Sequence, residues 1–172
     1  LVCMKHVGMN VAADAFVNSA MTGANGGLVV VAADDPSMHS SQNEQDSRFY
    51  GKFALVPTFE PSTQQEAYDM VQAAFDFSEK YRIPVLMRLT TRMAHSRAMV
   101  EPREARSENS LAYPARTRQW VLMPGNSRVR YEALLADYAR FEEEAAASPF
   151  NRYADAEDKS LGIIACGIAH NY

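Results

Sequence analysis

Histidine side chains are the first groups in this sequence that could do chemistry, because imidazole binds metals and transfers protons near neutral pH. None of the four is spaced from a cysteine or another histidine as metal ligands usually are, and neither an HExxH nor a CxxC motif occurs. The sequence therefore predicts no metal site. The four histidines are His6, His39, His95 and His170.

Residues 5–10, Lys-His-Val-Gly-Met-Asn, connect a short apolar run to a helical pattern. Free N–H groups at a helix N terminus attract anions, and Gly8 would let a ligand approach the backbone closely. Neither a GxGxxG nor a GxxxxGKS phosphate loop is present. Two interpretations therefore stay open: a tight strand-to-helix turn with a hydrogen-bonded His6, or one side of a ligand site.

The polar segment, residues 34–46, follows the most apolar run of the chain, residues 28–33. Its sequence is Asp-Asp-Pro-Ser-Met-His-Ser-Ser-Gln-Asn-Glu-Gln-Asp. In parallel α/β sheets, ligands bind at the carboxyl ends of the strands, and long polar loops there often carry function. The alternative is a solvated loop built from Asx and Ser turns.

A third polar stretch, residues 88–97, also follows an apolar run. Arg92 and Arg97 could bind a carboxylate there, or they could form ion pairs at a domain interface, which we favour. No GxSxG motif occurs, so the sequence does not indicate a nucleophilic serine.

Apolar runs indicate the strands that would position these stretches. Residues 28–33 are apolar without alternation, as in a central strand of a parallel sheet that is covered on both faces. The alternation of strands and helices predicts an α/β fold, a three-layer sandwich with a mostly parallel sheet. The predicted strands are residues 1–4, 28–33, 53–58 and 85–89, with a further strand at 161–166.

Three helices are predicted, because polar caps precede three apolar stripes at helical spacing. Asn10 is the predicted N-cap of the first helix, and Gly23 ends it. The second begins with a capping box formed by Ser62 and Gln65. The predicted helices cover residues 10–22, 62–81 and 127–147, with loops at 90–110 and 151–160.

The composition is that of a globular protein with a modest core. The chain has 172 residues, 47% of them hydrophobic, and a net charge of −4. Without a stripe of Lys and Arg, nucleic acid is not an expected partner, and the longest apolar run is too short to cross a bilayer. Cys3 and Cys166 lie in apolar runs, which predicts two buried, reduced thiols in a cytoplasmic protein.

Neither end of the sequence is typical of a complete protein, since residues 1–4 lack an initiator Met and a signal peptide. We predict a partial domain with a C-terminal helical extension over residues 1–150. A linker over 151–160 and the start of another domain over 161–172 would follow. A truncated sheet edge exposes apolar surface, so the chain is expected to self-associate.

Three strings of residues resemble the alpha subunits of indolepyruvate:ferredoxin oxidoreductases, which are members of the 2-oxoacid:ferredoxin oxidoreductase family. They are MKHVGMNVAAD at 4–14, GGLVVVAADDPSMHSSQNEQD at 26–46 and TTRMAHSR at 90–97. Their order and spacing agree over nearly the whole chain, and residues 162–169 resemble the entry to the family's next domain. Ala15 departs from the pattern, in which a proline follows Ala-Asp.

The resemblance implies an internal, N-terminally truncated part of the domain that binds the aminopyrimidine ring of thiamine diphosphate. The complete enzyme oxidatively decarboxylates arylpyruvates such as indolepyruvate with coenzyme A, and it forms aryl-acetyl-CoA, carbon dioxide and reduced ferredoxin. Its cofactors are thiamine diphosphate, magnesium and iron–sulfur clusters. The implied partners are the other domains of the same subunit, a beta subunit and ferredoxin, in an oligomer.

The resemblance also implies which residues lie at the site. The family's catalytic glutamate lies upstream of the Lys-His-Val-Gly turn and is therefore expected before Leu1, and the Gly-Asp-Gly diphosphate and magnesium motif does not occur. Two lone cysteines cannot supply all the ligands of an iron–sulfur cluster. The chain alone is therefore expected to be inactive and to bind no cofactor. The implied cofactor neighbours are His6 and Gly8, and the substrate-side candidates are Asp34, His39, Gln42 and Asn43.

Three alternative functions remain open for these residues. The parent enzyme could act on another 2-oxoacid within the same class. The segment could be a non-catalytic scaffold at a subunit interface, in which case replacing His6 or Asn43 would alter assembly and leave turnover unchanged. It could also be a free-standing nucleotide-binding module, which would bind NAD.

Overall fold

The computed structural model describes residues 1–110, 113 and 117–172, and its centre is a parallel sheet. Four strands pair in the order β1-β2-β4-β3, and each pair is parallel. The prediction of a mostly parallel sheet is therefore confirmed. The strands are β1 (Val2–Lys5), β2 (Val29–Asp34), β3 (Thr58–Phe59) and β4 (Val85–Thr90).

Six helices surround this sheet, together with three short 3-10 segments among the described residues. The helices are α1 (His6–Val11), α2 (Ala13–Thr22), α3 (Arg48–Ala54), α4 (Gln64–Tyr81), α5 (Thr91–His95) and α6 (Pro124–Ala146). The 3-10 segments are Pro36–Met38, Thr117–Trp120 and Gly167–Asn171. None of the described helices is both long enough and apolar enough to cross a membrane.

Strand β2 divides the apolar side chains into two cores. Val30 and Ala32 point into the core formed with α1, α2, α3 and α6. Val29 and Val31 point into the other core, where Met70 of α4 packs against them. Alternate residues of a strand face opposite sides of a sheet, so a strand that is apolar at every position needs helices on both faces. This arrangement confirms the three-layer α/β sandwich.

The first two predicted helices, residues 10–22 and 62–81, begin at other residues than predicted. The chain enters α1 directly from β1, with Lys5 as N-cap, so Asn10 lies inside a helix and the predicted turn is its first part. The predicted end of α2 at Gly23 is confirmed. At α4 the N-cap is Thr63, one residue after the predicted Ser62, because its side chain accepts a hydrogen bond from the Glu66 amide.

Two strand predictions were wrong in their type. Residues 53–58 contain the end of α3, because Gly51 and Ala54 let that helix pack closely on the sheet, and strand structure is confined to Thr58–Phe59. Residues 161–166 form no strand, and Ile163 and Ile164 are exposed. A strand needs a neighbour to pair with, and none of the described strands reaches this segment.

Three further predictions need correction. The predicted loop 90–110 opens with α5, and the last long helix begins at Pro124 rather than at residue 127, because proline suits the first helical turn. The cysteines were predicted to be buried, but Cys3 and Cys166 are both exposed free thiols. Cys3 lies on the edge strand β1, and Cys166 lies in residues 161–166, which form no strand.

Gly23 ends α2 with φ of 78° and ψ of 175°, a backbone conformation that is nearly restricted to glycine. A Cβ added there would lie 2.8 Å from the carbonyl oxygen of Arg82. We expect Gly23→Ala to lower the free energy of unfolding by on the order of 2 kcal/mol, as measured by urea denaturation. Gly26→Ala is the matched control, because a Cβ there meets nothing within 4 Å. Equal losses in both variants would contradict this explanation.

Candidate functional site at the carboxyl edge of the sheet

The strand register brings the three polar stretches of the sequence to one edge. Lys5 at the end of β1 pairs with Ala33, and Asp34 at the end of β2 pairs with Thr90 at the end of β4. Because all the strands are parallel, their carboxyl ends share one edge of the sheet. This edge is where ligands of parallel α/β sheets bind, so its side chains form the candidate site.

A buried cluster of charges lies under this edge. The carboxylate of Asp34 accepts hydrogen bonds from the Ser47 amide at 2.9 Å, from the Ser47 hydroxyl at 2.5 Å and from Arg88 Nε at 2.5 Å. Arg88 also forms an ion pair with Glu60, and its Nε lies 3.6 Å from Asp46. Burial alone would lower the pKa of Arg88, but the hydrogen bond to Asp34 and the charge of Glu60 raise it. The cluster therefore holds a charged guanidinium inside the protein.

Asp34 was predicted on the substrate side, and the structure places it inside this cluster. Its side chain is 1% exposed, and both carboxylate oxygens already accept hydrogen bonds. This placement favours a structural role, since no atom of the carboxylate is left for a substrate. The sequence feature that indicates this role is in β4, where Arg88 interrupts an apolar strand. A buried arginine needs an acidic partner.

Asp35, the next residue, is bound to the polar segment and to a neighbouring strand end. Its carboxylate accepts hydrogen bonds from the Thr91 hydroxyl at 2.6 Å, the Ser40 amide at 2.8 Å and the Ser41 hydroxyl at 2.7 Å. Lys5 donates to the same Ser41 hydroxyl at 2.7 Å. The polar segment thus contacts the ends of β1, β2 and β4.

The Asp35 carboxylate should make the protein less stable in acid. The hydrogen bond from Thr91, followed by those from Ser40 and Ser41, holds its pKa well below the ordinary value. A lowered carboxyl pKa stabilises the folded state above the unfolded pKa of about 4, and this contribution is lost as the pH falls towards the folded pKa. Below about pH 5, we therefore expect the free energy of unfolding to fall more steeply for the wild type than for Asp35→Asn. Equal slopes in urea denaturation would contradict this.

The remaining substrate-side candidates lie on the outside of the polar segment. His39, Gln42 and Asn43 are all exposed. The chain reaches them through Ser37 and Met38, whose φ angles of 64° and 54° are left-handed, which is unusual for residues with side chains. The structure therefore brings these three side chains to the edge and separates them from Asp34.

His6 and Gly8, the predicted cofactor neighbours, lie in α1 beneath the same edge. His6 is 0% exposed, and neither ring nitrogen has a hydrogen-bond partner among the residues that the structure describes. The Thr90 hydroxyl at the end of β4 is in the same condition. A Cβ on Gly8 would lie 3.0 Å from Met4 Cβ, so this glycine allows α1 to pack closely on β1. Buried polar atoms without a partner are rare and need an explanation.

The third polar stretch contributes α5 to the edge. Arg92 lies with its guanidinium carbon 5.2 Å from the ring centroid of Tyr172, and Arg97 is exposed. In the described part of the chain, no three His, Cys, Asp or Glu side chains are grouped so that they could hold a metal ion. The edge as described therefore offers hydrogen-bonding and cationic groups but no metal ligand set.

An open trough of about 1410 Å³ lies beside this edge, between α4, α6 and residues 149–167. Phe59, Phe77 and Phe150 contribute apolar walls, and Arg48 and Glu60 lie where the trough meets the charge cluster. No sequence motif indicated it, because distant segments form its walls. Residues 151–166 have no helix or strand, so one wall has no regular structure to fix it.

No protein-family model matches the sequence. The chain is 47% identical over 98% of its length to the indolepyruvate oxidoreductase subunit IorA of Methanothermobacter marburgensis. It is 46% identical over its whole length to IorA of Pyrococcus abyssi, and 43% identical over 98% of its length to IorA of Archaeoglobus fulgidus. The chain spans 27–28% of the length of these relatives. With this identity along its whole length, the chain belongs to the family of indolepyruvate oxidoreductase subunits named IorA, of which it represents one segment.

Proposed function

We propose that the protein to which this segment belongs oxidatively decarboxylates arylpyruvates, with indolepyruvate as the reference substrate. Coenzyme A would take the acyl group to give aryl-acetyl-CoA, carbon dioxide would leave, and ferredoxin would accept the electrons. The observation that carries the proposal is the 42–47% identity to IorA subunits over nearly the whole chain, with the carboxyl edge included. The name of those relatives, indolepyruvate oxidoreductase, supports indolepyruvate as the substrate.

The proposed cofactor is thiamine diphosphate with magnesium, and iron–sulfur clusters would conduct the electrons. Thiamine diphosphate, when bound, supplies the carbanion chemistry of decarboxylation, and the protein supplies position and electrostatics. The family's Gly-Asp-Gly motif does not occur in the sequence, and no three His, Cys, Asp or Glu side chains in the described part of the chain are grouped so that they could hold a metal ion. The proposal therefore assigns the diphosphate and magnesium to other parts of the subunit, and the partners would be those parts, a beta subunit and ferredoxin.

Within this segment, the proposal gives different weight to the candidate residues. Neither ring nitrogen of the buried His6 has a hydrogen-bond partner in the part of the chain that the structure describes. This supports His6 as a cofactor neighbour, because a ring bound in the intact subunit could supply the partner. His39, Gln42 and Asn43 can reach a substrate directly, because they are exposed at the edge. Gly8 acts through packing against Met4, and Asp34 is left to the charge cluster.

The test uses the intact enzyme, with this subunit and its beta subunit. Steady-state turnover with coenzyme A and ferredoxin would be compared for indolepyruvate, phenylpyruvate, pyruvate and 2-oxoglutarate. We expect the arylpyruvates to have the highest kcat/KM. A preference for pyruvate or 2-oxoglutarate would replace the substrate but keep the reaction class. Turnover of no 2-oxoacid by a correctly assembled enzyme loaded with its cofactors would leave the scaffold alternative.

Asn43→Ala should impair the intact enzyme through its substrate. One lost hydrogen bond corresponds to about 1 kcal/mol, so kcat/KM for indolepyruvate should fall about fivefold to tenfold. The melting temperature should stay within a degree or so of the wild type, because Asn43 is exposed and its described side-chain bond is to Gln45 nearby. Glu108→Ala, at another exposed loop position, is the control. Unchanged kinetics with altered subunit assembly would contradict the substrate role.

A further inference from the structure

Asp34 is the last residue of β2 and Asp35 follows it, and their carboxylates bind different parts of the fold. Asp34 binds Arg88 and Ser47 beneath the sheet edge. Asp35 binds the polar segment itself, through the His39 amide at 3.2 Å, the Ser40 amide at 2.8 Å and the Ser41 hydroxyl at 2.7 Å. The second carboxylate is therefore the link between the sheet and the exposed residues of the loop.

The contacts of Asp35 extend to the two adjacent strands. The Thr91 hydroxyl, one residue past β4, donates to it at 2.6 Å. Lys5 Nζ, at the end of β1, lies 4.0 Å from it. The carboxylate is buried, so water does not compete strongly for these donors. One side chain thus fixes the start of the polar segment relative to three strand ends.

The backbone between Asp35 and the exposed residues is in a conformation that needs such support. Ser37 and Met38 both have positive φ, and successive left-handed residues with side chains persist only where the surroundings hold them. The bonds that hold this turn include those from residues 39–41 to the Asp35 carboxylate and the one from the Ser37 amide to Glu44. The Met38 amide also donates to the Asp35 carbonyl oxygen at 3.0 Å. The exposed His39, Gln42 and Asn43 take their positions from this backbone.

We propose that Asp35 is a positioning residue for the substrate: it holds residues 37–43 in one conformation, so that His39, Gln42 and Asn43 meet the 2-oxoacid already ordered. This inference rests on the proposed function. A preordered loop loses less conformational entropy when the substrate binds. The expected consequence of loosening it is a weaker affinity for the substrate, with the chemical step less affected.

The test uses Thr91→Val in the intact enzyme, with Thr91→Ser as the conservative variant that keeps the hydroxyl donor to Asp35. Hydrogen–deuterium exchange reports whether residues 37–43 loosen, and it does not depend on activity. For Thr91→Val we expect exchange in this segment to accelerate at least threefold and KM for indolepyruvate to rise about tenfold. We expect kcat to change less than threefold and Thr91→Ser to behave as wild type. Asp35→Asn should show the same split more strongly.

Other results would overturn the inference. Unchanged exchange in Thr91→Val and Asp35→Asn would show that Asp35 does not hold the segment. Faster exchange with unchanged KM would show that the order of the segment does not matter to the substrate. Equal effects in Thr91→Val and Thr91→Ser would show that the hydroxyl is not the cause. Absence of arylpyruvate turnover in the wild type would refute the proposed function instead, and the exchange data would still decide whether Asp35 orders the loop.

Discussion

Arg88→Ala is expected to lower the free energy of unfolding of this chain by about 3–5 kcal/mol. The substitution removes the cation that neutralises Asp34 and Glu60, whose side chains are only 1% and 11% exposed. Those carboxylates would then stay inside the protein without their charged partner, or would have to take up protons. Urea denaturation at neutral pH, followed by circular dichroism, gives the difference directly.

The matched control for this prediction is Arg103→Ala. Arg103 also forms an ion pair, with Asp69, but its side chain is 58% exposed. Exposed pairs contribute little because water and salt screen them, so the loss should be below about 1 kcal/mol. Similar losses in both variants would mean that burial of the Arg88 cluster does not set its strength.

His6→Leu is expected to act in the opposite direction and to stabilise this chain by up to about 3 kcal/mol. The imidazole is fully buried, and its two nitrogens have no partner among the described residues. An apolar side chain of similar size fills the same space without unmet hydrogen bonds. Thermal and urea denaturation of the chain would both report the gain.

The control for His6 is His95→Leu, because His95 is exposed on α5. That change should leave stability within about 0.5 kcal/mol. A destabilised His6→Leu chain would mean that the imidazole has a partner, such as a bound water. In the intact enzyme, the same variant should bind thiamine diphosphate more weakly if His6 is a cofactor neighbour, as residues kept for function often reduce stability.

The fold was predictable where one physical requirement dominated the sequence. The sequence pattern predicted strand β2 and helix α4 clearly, because β2 is apolar on both buried faces and α4 has an apolar stripe that packs on the sheet. Helix α3 was missed because Gly51 and Ala54, which pack on the sheet, carry no apolar periodicity. The strand predicted at 161–166 has the right side chains, but strand formation also depends on a pairing neighbour that the sequence of the segment cannot supply.

The candidate site was predictable in its place but less so in its contacts. Parallel strands bring their carboxyl ends together, so the polar segment could be assigned to the edge before any coordinates were known. The partners of the two aspartates could not be predicted, because they depend on tertiary packing. Arg88 donates a hydrogen bond to Asp34, and the Thr91 hydroxyl donates one to Asp35. The burial of His6 also escaped prediction, because the helix was expected to begin only after it.

The strand order has a consequence for how this protein comes together as it is made. Strand β3 pairs with β4, and β4 separates it from β2, although β4 is the last of the four to be synthesised. Until Thr90 has left the ribosome, β1 and β2 can pair, but β3 has no adjacent strand to join. The sheet is therefore complete only when β4 inserts between β2 and β3, which are already made. Long-range parallel pairing of this kind is slow. During that interval, the edge of the apolar strand β2 that will later pair with β4 is open to other molecules.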